Sequence, residues 1–273
     1  MSEDARPAVR RWAAEERTQQ HARVHKRERE RVRTEPVGEI ALTLTRRGVI
    51  WTLSLVAATI IVAHIIVTLV RSYASRPIMG IDNLYTLFGL WAEASFANWF
   101  SSTLFLISAA LLALITIAKR ARGDRYTWYW AGLALVFFAL AVDDAADAHG
   151  QLSYVLHAYL QTSGFLLYAW VIPAAGMLLI FGLVYARFVW NLAPPIRWRF
   201  VLAGALFVVS ALVFEVFEAR YDGLHGTENM PYKIMVTIEE TVEMGAIIFF
   251  IATLLTILHA YGPTVRVRLR SGE

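Results

Sequence analysis

Six apolar stretches run through the chain, at about 48–70, 98–118, 126–142, 164–186, 200–217 and 236–259. A helix rises about 1.5 Å per residue, so crossing the hydrocarbon of a bilayer takes roughly 20 residues, and these stretches approach or exceed that length. Inside lipid every backbone N–H and C=O has to be paired within the protein, which leaves helices or closed barrels. No run alternates with period two, so a barrel is not expected. The sequence therefore predicts an all-α polytopic membrane helix bundle of six transmembrane helices. Composition agrees, since 57% hydrophobic residues and a mean hydropathy of +0.48 are too apolar for a soluble domain of this length. The third and fifth stretches reach spanning length only if the acidic residues at their ends are counted in, and the sixth likewise needs its glutamates.

Orientation follows from the arginines and lysines. Arg46 and Arg47 precede the first span, Lys119, Arg120, Arg122 and Arg125 separate the second from the third, and Arg187, Arg197 and Arg199 flank the fourth and fifth. Arg266, Arg268 and Arg270 follow the sixth. The opposite loops hold only Arg71, Arg76, Arg220 and Lys233 near their membrane edges. Basic residues are retained on the cytoplasmic side, so both termini are expected there. Residues 1–47 read as a charged cytoplasmic N-terminal segment, partly helical or disordered, 48–260 as the transmembrane domain and 261–273 as a basic cytoplasmic tail. The leader, long and charged in both signs, fits a signal anchor better than a cleavable signal. Within it, 9–34 (His25, Lys26, Arg27, Glu28, Arg29, Glu30, Arg31, Arg33) interleaves charges at helical spacing. Its glutamates weaken both lipid and nucleic-acid readings, and no nucleic-acid partner is expected. Segment 78–97 sets Leu84, Trp91 and Phe96 around Asp82 and Glu93, which suggests a helix lying at the outer interface. Pro173, in the middle of the fourth stretch, predicts a kink.

Carboxylates gather at one depth. Asp143, Asp144 and Asp147 close the third span, Glu215 and Glu218 close the fifth, and Glu239, Glu240 and Glu243 open the sixth, with His149 beside the first group. Counting residues from the basic ends places all three sets near the outer boundary. At about 100° per residue, Asp143 and Asp147 share one helical face, as do Glu239 and Glu243. Acidic residues inside a membrane are costly, and they mark pathways or sites. Arg220 and Lys233 are the only nearby cations, too few for eight carboxylates. Protons, metal ions or a cationic ligand have to share the charge.

Oxygen ligands with histidine suit Mn, Fe or Zn, and carboxylates alone suit Ca or Mg. The expected metal set is Asp143, Asp144, Asp147, His149, Glu239, Glu240 and Glu243, with a divalent ion of unknown identity as the cofactor. Glu215 is the candidate acid or base of an enzyme that would activate water or polarise a lipid-like or small substrate. Two other readings stay open: a proton- or cation-coupled transporter or channel, and a non-catalytic subunit of a membrane complex. Membrane lipids are the expected partners. No phosphate-binding glycine loop, nucleophile elbow or dinucleotide fingerprint is present, and zero cysteines remove disulfides and thiolate chemistry.

From Asn83 to His259 the chain resembles a widespread group of bacterial multi-pass membrane proteins of unknown function. Their motifs, Asp-Glu-x4-His-Glu and Glu-Glu-x2-Glu-Met-x-Gly, align with Asp143-Asp144 through His149-Gly150 and with Glu239-Glu240 through Glu243-Met244. Trp170, Pro173 and Glu215 also match. Asp144 and Gly150 depart, each standing where the group has glutamate, and the second change removes a potential ligand. The resemblance implies the fold and the choice of residues, and no activity; the expected location is the bacterial inner membrane.

Overall fold

Thr45 starts the first membrane helix: its side chain accepts the Gly48 N–H at 3.2 Å, and α1 then runs over Arg46–Tyr73. Arg46 and Arg47 therefore form the first helical turn instead of preceding it. The computed structural model describes residues 40–42, 45–74, 76, 78–260 and 265–267. The charged segment 9–34 and the tail residues Arg268 and Arg270 lie outside the described residues. The chain divides into two units. In the first, β1 (Ile40–Leu42) pairs antiparallel with β2 (Val265–Val267). The second unit, Leu44–Pro263, holds all the helices among the described residues.

After α1 come α2 (Ile81–Leu87), α3 (Phe96–Ala121), α4 (Thr127–Ala146), α5 (Ala148–Leu160), a 3-10 turn at Gly164–Leu166, and α6 (Val171–Trp190). A composite fifth span follows, made of α7 (Pro194–Val208), a π-helical segment (Val209–Phe214) and α8 (Glu215–His225), before α9 (Met230–His259) closes the unit. Among the described residues, six helices are long and apolar enough to cross a membrane: α1, α3, α4, α6, the composite 194–225, and α9. These residues are all-α apart from the two three-residue strands. The third, fifth and sixth spans do take their acidic ends into the helix, as the length requirement demanded.

Three expectations change. Within segment 78–97 the separate helix covers only the seven residues Ile81–Leu87; the chain then turns through 88–94, and Ser95 caps α3 by accepting the Asn98 N–H. The fourth span begins at Val171, because 164–166 closes as a separate 3-10 turn and 167–170 run as bend and turn before the helix starts. Pro173 thus lies in the first turn of α6, where its missing N–H removes no helical hydrogen bond and no kink is called for. Finally, Asp143 and Asp147 do not share a helical face, since α4 ends between them.

α9 is the hub. Half of its apolar window is buried, against 11% for α6, so it is the helix the others surround. Near the acidic end it packs with α1 and α3 through Ala97, Phe100, Leu104, Met244, Ile247 and Ile251. Toward the basic end Phe250 and Leu254 join Leu112, Trp130, Phe188 and Phe200. Trp130 meets Phe188 and Phe200 edge-on, with centroids 5.1 and 5.7 Å apart. Outward faces such as Trp51, Leu55 and Ile66 on α1 are exposed and apolar, as a lipid-facing surface is.

Candidate metal centre

The acidic end of the bundle is organised around the break at Asp147. Its backbone is left-handed (φ 48°, ψ 43°), its N–H bonds to the Asp143 carbonyl to close α4, and its side chain opens α5. Asp147 Oδ1 accepts the Gly150 N–H at 3.1 Å and Oδ2 accepts the Gln151 Nε2–H at 3.0 Å. Aspartate tolerates this backbone region better than most residues. Gly150 now has a physical reason: a Cβ there would run into the Asp147 carboxylate. Its absence of a side chain serves the cap and is not simply a lost ligand. Gly150→Ala is expected to lower stability by about 1 kcal/mol, the usual worth of an N-cap, and Asp147→Ala should cost no more in the alanine background than alone. Thermal unfolding of the two single variants and the double variant checks this.

The break folds α5 back over the end of α4. His149 Nδ1 comes to 3.2 Å from Asp143 Oδ2, and its ring lies 5.1 Å from that of Trp170. The Trp170 indole N–H donates to Glu215 Oε1 at 3.1 Å. Asp144, one residue on, accepts the Ser102 hydroxyl from α3 at 2.6 Å. Four spans are thereby tied to one polar layer by Ser102, Asp143, Asp144, Glu215 and the α9 glutamates.

Two sets of three ligand atoms stand out. In the first, Glu215, Glu218 and Glu239 each bring a carboxylate oxygen so that all three lie within 4.8 Å of one another. Glu218 is 2% and Glu239 7% exposed. Glu218 Oε1 is buried and has no hydrogen-bond partner. In the second set Glu93, Asp147 and His149 meet the same distance limit, nearer the surface. Glu240 is in electrostatic range of Glu243, Asp144, Glu218 and Glu93. Glu243 is in range of Asp144, Glu215 and His149. Glu240 and Glu243 belong to neither three-ligand set, and Glu215, expected as an acid or base, stands among the ligand carboxylates.

The two sets differ in charge. Burial works against the His149 imidazolium, but the Asp143 hydrogen bond and the charges of Asp143, Glu215 and Glu93 outweigh it and push the ring up to about 9. Partial burial, then Asp147, push the Glu93 carboxyl up. The second set thus has a proton-borne cation of its own, which a metal would have to displace. The first set holds no cation of its own, although His149 is in electrostatic range of Glu215. Among the described residues, Lys233 pairs with Glu228 at 3.5 Å, and Arg71 pairs with Asp82 and Glu228. Arg220 lies over the Phe165 ring. Neither Arg220 nor Lys233 makes an ion pair with the carboxylate layer.

Glu93, Ser102 and Trp170 were not among the residues assigned to the site from sequence. Glu93 sits in a turn with no period to read, Ser102 carries no charge to draw attention, and Trp170 was noted only as a position shared with the resembled group. Three other histidines have partners of their own. His64 Nδ1 accepts the Leu90 N–H at 3.3 Å, so Nε2 carries the proton and donates to Thr237 Oγ1 at 3.2 Å. It fastens α1 to the 88–90 turn and to α9. His157 bonds Thr162, and His225 stacks on Tyr221. Ser210 donates its hydroxyl to the Leu206 and Phe207 carbonyls, which serves the π-helical backbone and leaves no nucleophile.

A model of a protein family described as "Domain of unknown function (DUF8692)" matches residues 52–258. No curated protein and no solved structure matches the chain.

Proposed function

We propose that this chain, which belongs to the DUF8692 family, is a multi-pass protein of the bacterial inner membrane that holds a divalent cation on Glu215, Glu218 and Glu239. The observation that carries the reading is the orphaned, buried Glu218 Oε1 inside a set of three carboxylates with no lysine or arginine against it. At an effective dielectric constant of about 20, two like charges roughly 5 Å apart repel by about 3 kcal/mol. Three such pairs approach the whole stability of an ordinary domain, so the set needs a neutralising partner. An all-oxygen set suits a hard ion such as Ca, Mg or Mn. The ion would polarise or activate a small or lipid-like ligand arriving at the outer interface, with His149 and Asp143 as a proton-carrying pair beside it.

A passage through the membrane has less support. Below the carboxylates Met244, Ile247, Ile251 and Leu254 are 0–2% exposed, so that half is a packed apolar plug without stepping stones. Elemental analysis of protein purified without chelator is expected to find a stoichiometric divalent metal. Metal-free protein whose stability ignores added Mn, Mg and Ca would leave the carboxylates to protons and end the proposal.

Orientation is part of the same reading: both termini cytoplasmic, the carboxylate layer outward. The chain has no cysteine, so Ser153→Cys on α5 provides a single label. It should react with an impermeant maleimide in intact cells; labelling only after the inner face is opened would invert the topology.

A further inference from the structure

A second site lies at the far end of α3. Ser102, bonded to Asp144, and Lys119 are 17 residues apart on that helix, which is about 25 Å of rise. There a cavity of about 440 Å³ opens between the ends of α3, α4 and α6, lined on its polar side by Lys119, Asp124, Arg125 and Asn191 and on its buried side by Trp130 and Phe188. This volume is within the range of small-ligand pockets. Trp128, Trp190 and Trp198, all exposed, lie at the same ends of their helices. Tryptophans in that position mark the headgroup layer of a bilayer, so the cavity is at headgroup depth.

Its charges are not balanced. Lys119 Nζ is 2.6 Å from Asp124 Oδ2, and Asp124 Oδ1 accepts the Tyr126 N–H at 2.8 Å. That carboxylate is committed on both oxygens. Arg125 lies over the Tyr126 ring, 4.7 Å from its centroid, and donates to Asn191 Oδ1 at 3.4 Å. Among the described residues no carboxylate lies within ion-pairing distance of it. The guanidinium keeps donors for a planar bidentate partner, and phosphate oxygens fit that fork. Aromatic walls behind it suit the glycerol and first methylenes of a lipid better than a fully hydrated ion.

We propose that this cavity binds the phosphate of an anionic phospholipid headgroup, with Arg125 as its principal contact and Trp130 and Phe188 against the glycerol end. Basic pockets between membrane helices are suited to such headgroups. The site is independent of the carboxylate layer and of whether a metal is held there.

The test uses the full chain in bilayers of phosphatidylcholine with and without phosphatidylglycerol, read by melting midpoint and by lipid retained in native mass spectrometry. Phosphatidylglycerol should raise the midpoint and be retained. Arg125→Gln should reduce retention about fivefold, the effect of one basic contact near a membrane surface. Asp124→Asn, which keeps a cap for Tyr126 while removing the negative charge beside Lys119, should increase it. Arg187→Gln, an exposed arginine that does not line the cavity, should leave it unchanged. Equal losses in Arg125→Gln and Arg187→Gln would mean surface charge alone and overturn the site. If inorganic phosphate in phosphatidylcholine bilayers reproduces the shift, the ligand is a free anion and the lipid assignment falls.

Discussion

Glu239→Gln is expected to abolish the response of the melting temperature to chelator. In the parent protein, an ion at a hundred times its Kd stabilises the fold by about 2.7 kcal/mol, and stripping it returns that amount. The amide keeps the size of the side chain but offers a weaker ligand, so the ion is lost and chelator finds nothing to remove. The direction of the change in untreated protein is the more discriminating result. With an ion held by Glu215, Glu218 and Glu239, the variant melts lower than the parent. With no ion, neutralising one of three crowded carboxylates relieves repulsion and the variant melts higher. Metal and protons compete for the same oxygens, so the chelator-sensitive part of the stability should fade as pH falls. A variant that melts higher at neutral pH, with a parent indifferent to chelator, would overturn the metal centre.

Trp130→Ala is expected to cost about 3–5 kcal/mol, the range for deleting a large aromatic side chain from a packed core. Trp130 is 2% exposed and wedged between Phe188 and Phe200. Lipid tails are as apolar as the side chains of the helices, so association in a membrane depends on packing and not on removal from water. A hole at this position therefore loses the ring contacts to Phe188 and Phe200 that hold α4 against α6 and α7. Unfolding in mixed detergent, monitored by tryptophan fluorescence and far-UV dichroism together, gives the measurement. A loss under 1 kcal/mol would show that α4, α6 and α7 repack freely around the gap.

Much of the fold was legible because helical rise is constant. Counting along each apolar stretch placed Asp143, Glu215 and Glu243 at one depth without reference to one another, and the folded chain groups their neighbours there. Angular reasoning fared worse, and each failure has a local cause. Asp143 and Asp147 were read as one face on the assumption of an unbroken helix, but a left-handed aspartate followed by Gly150 ends α4 and starts α5. Pro173 was read as mid-span because 164–170, with Phe165, Leu166 and Leu167, is as apolar as the helix it precedes. Hydropathy does not register a 3-10 turn. Glu93 was legible only as part of a segment at the outer interface, since a turn has no period from which to infer where its side chain goes.

The π-helical segment Val209–Phe214 makes the carboxylate set a matter of residue count as much as residue identity. A π turn absorbs one residue more than an α turn, and such insertions occur frequently at functional sites. Deleting Leu212 would let the fifth span close up as an ordinary helix and rotate Glu215 and Glu218 by about 100° around its axis. Every acidic residue would remain, at nearly the same depth and with hydropathy hardly altered, yet Glu239 would face other neighbours. Relatives with and without that single extra residue could therefore share all the glutamates and differ in what they hold.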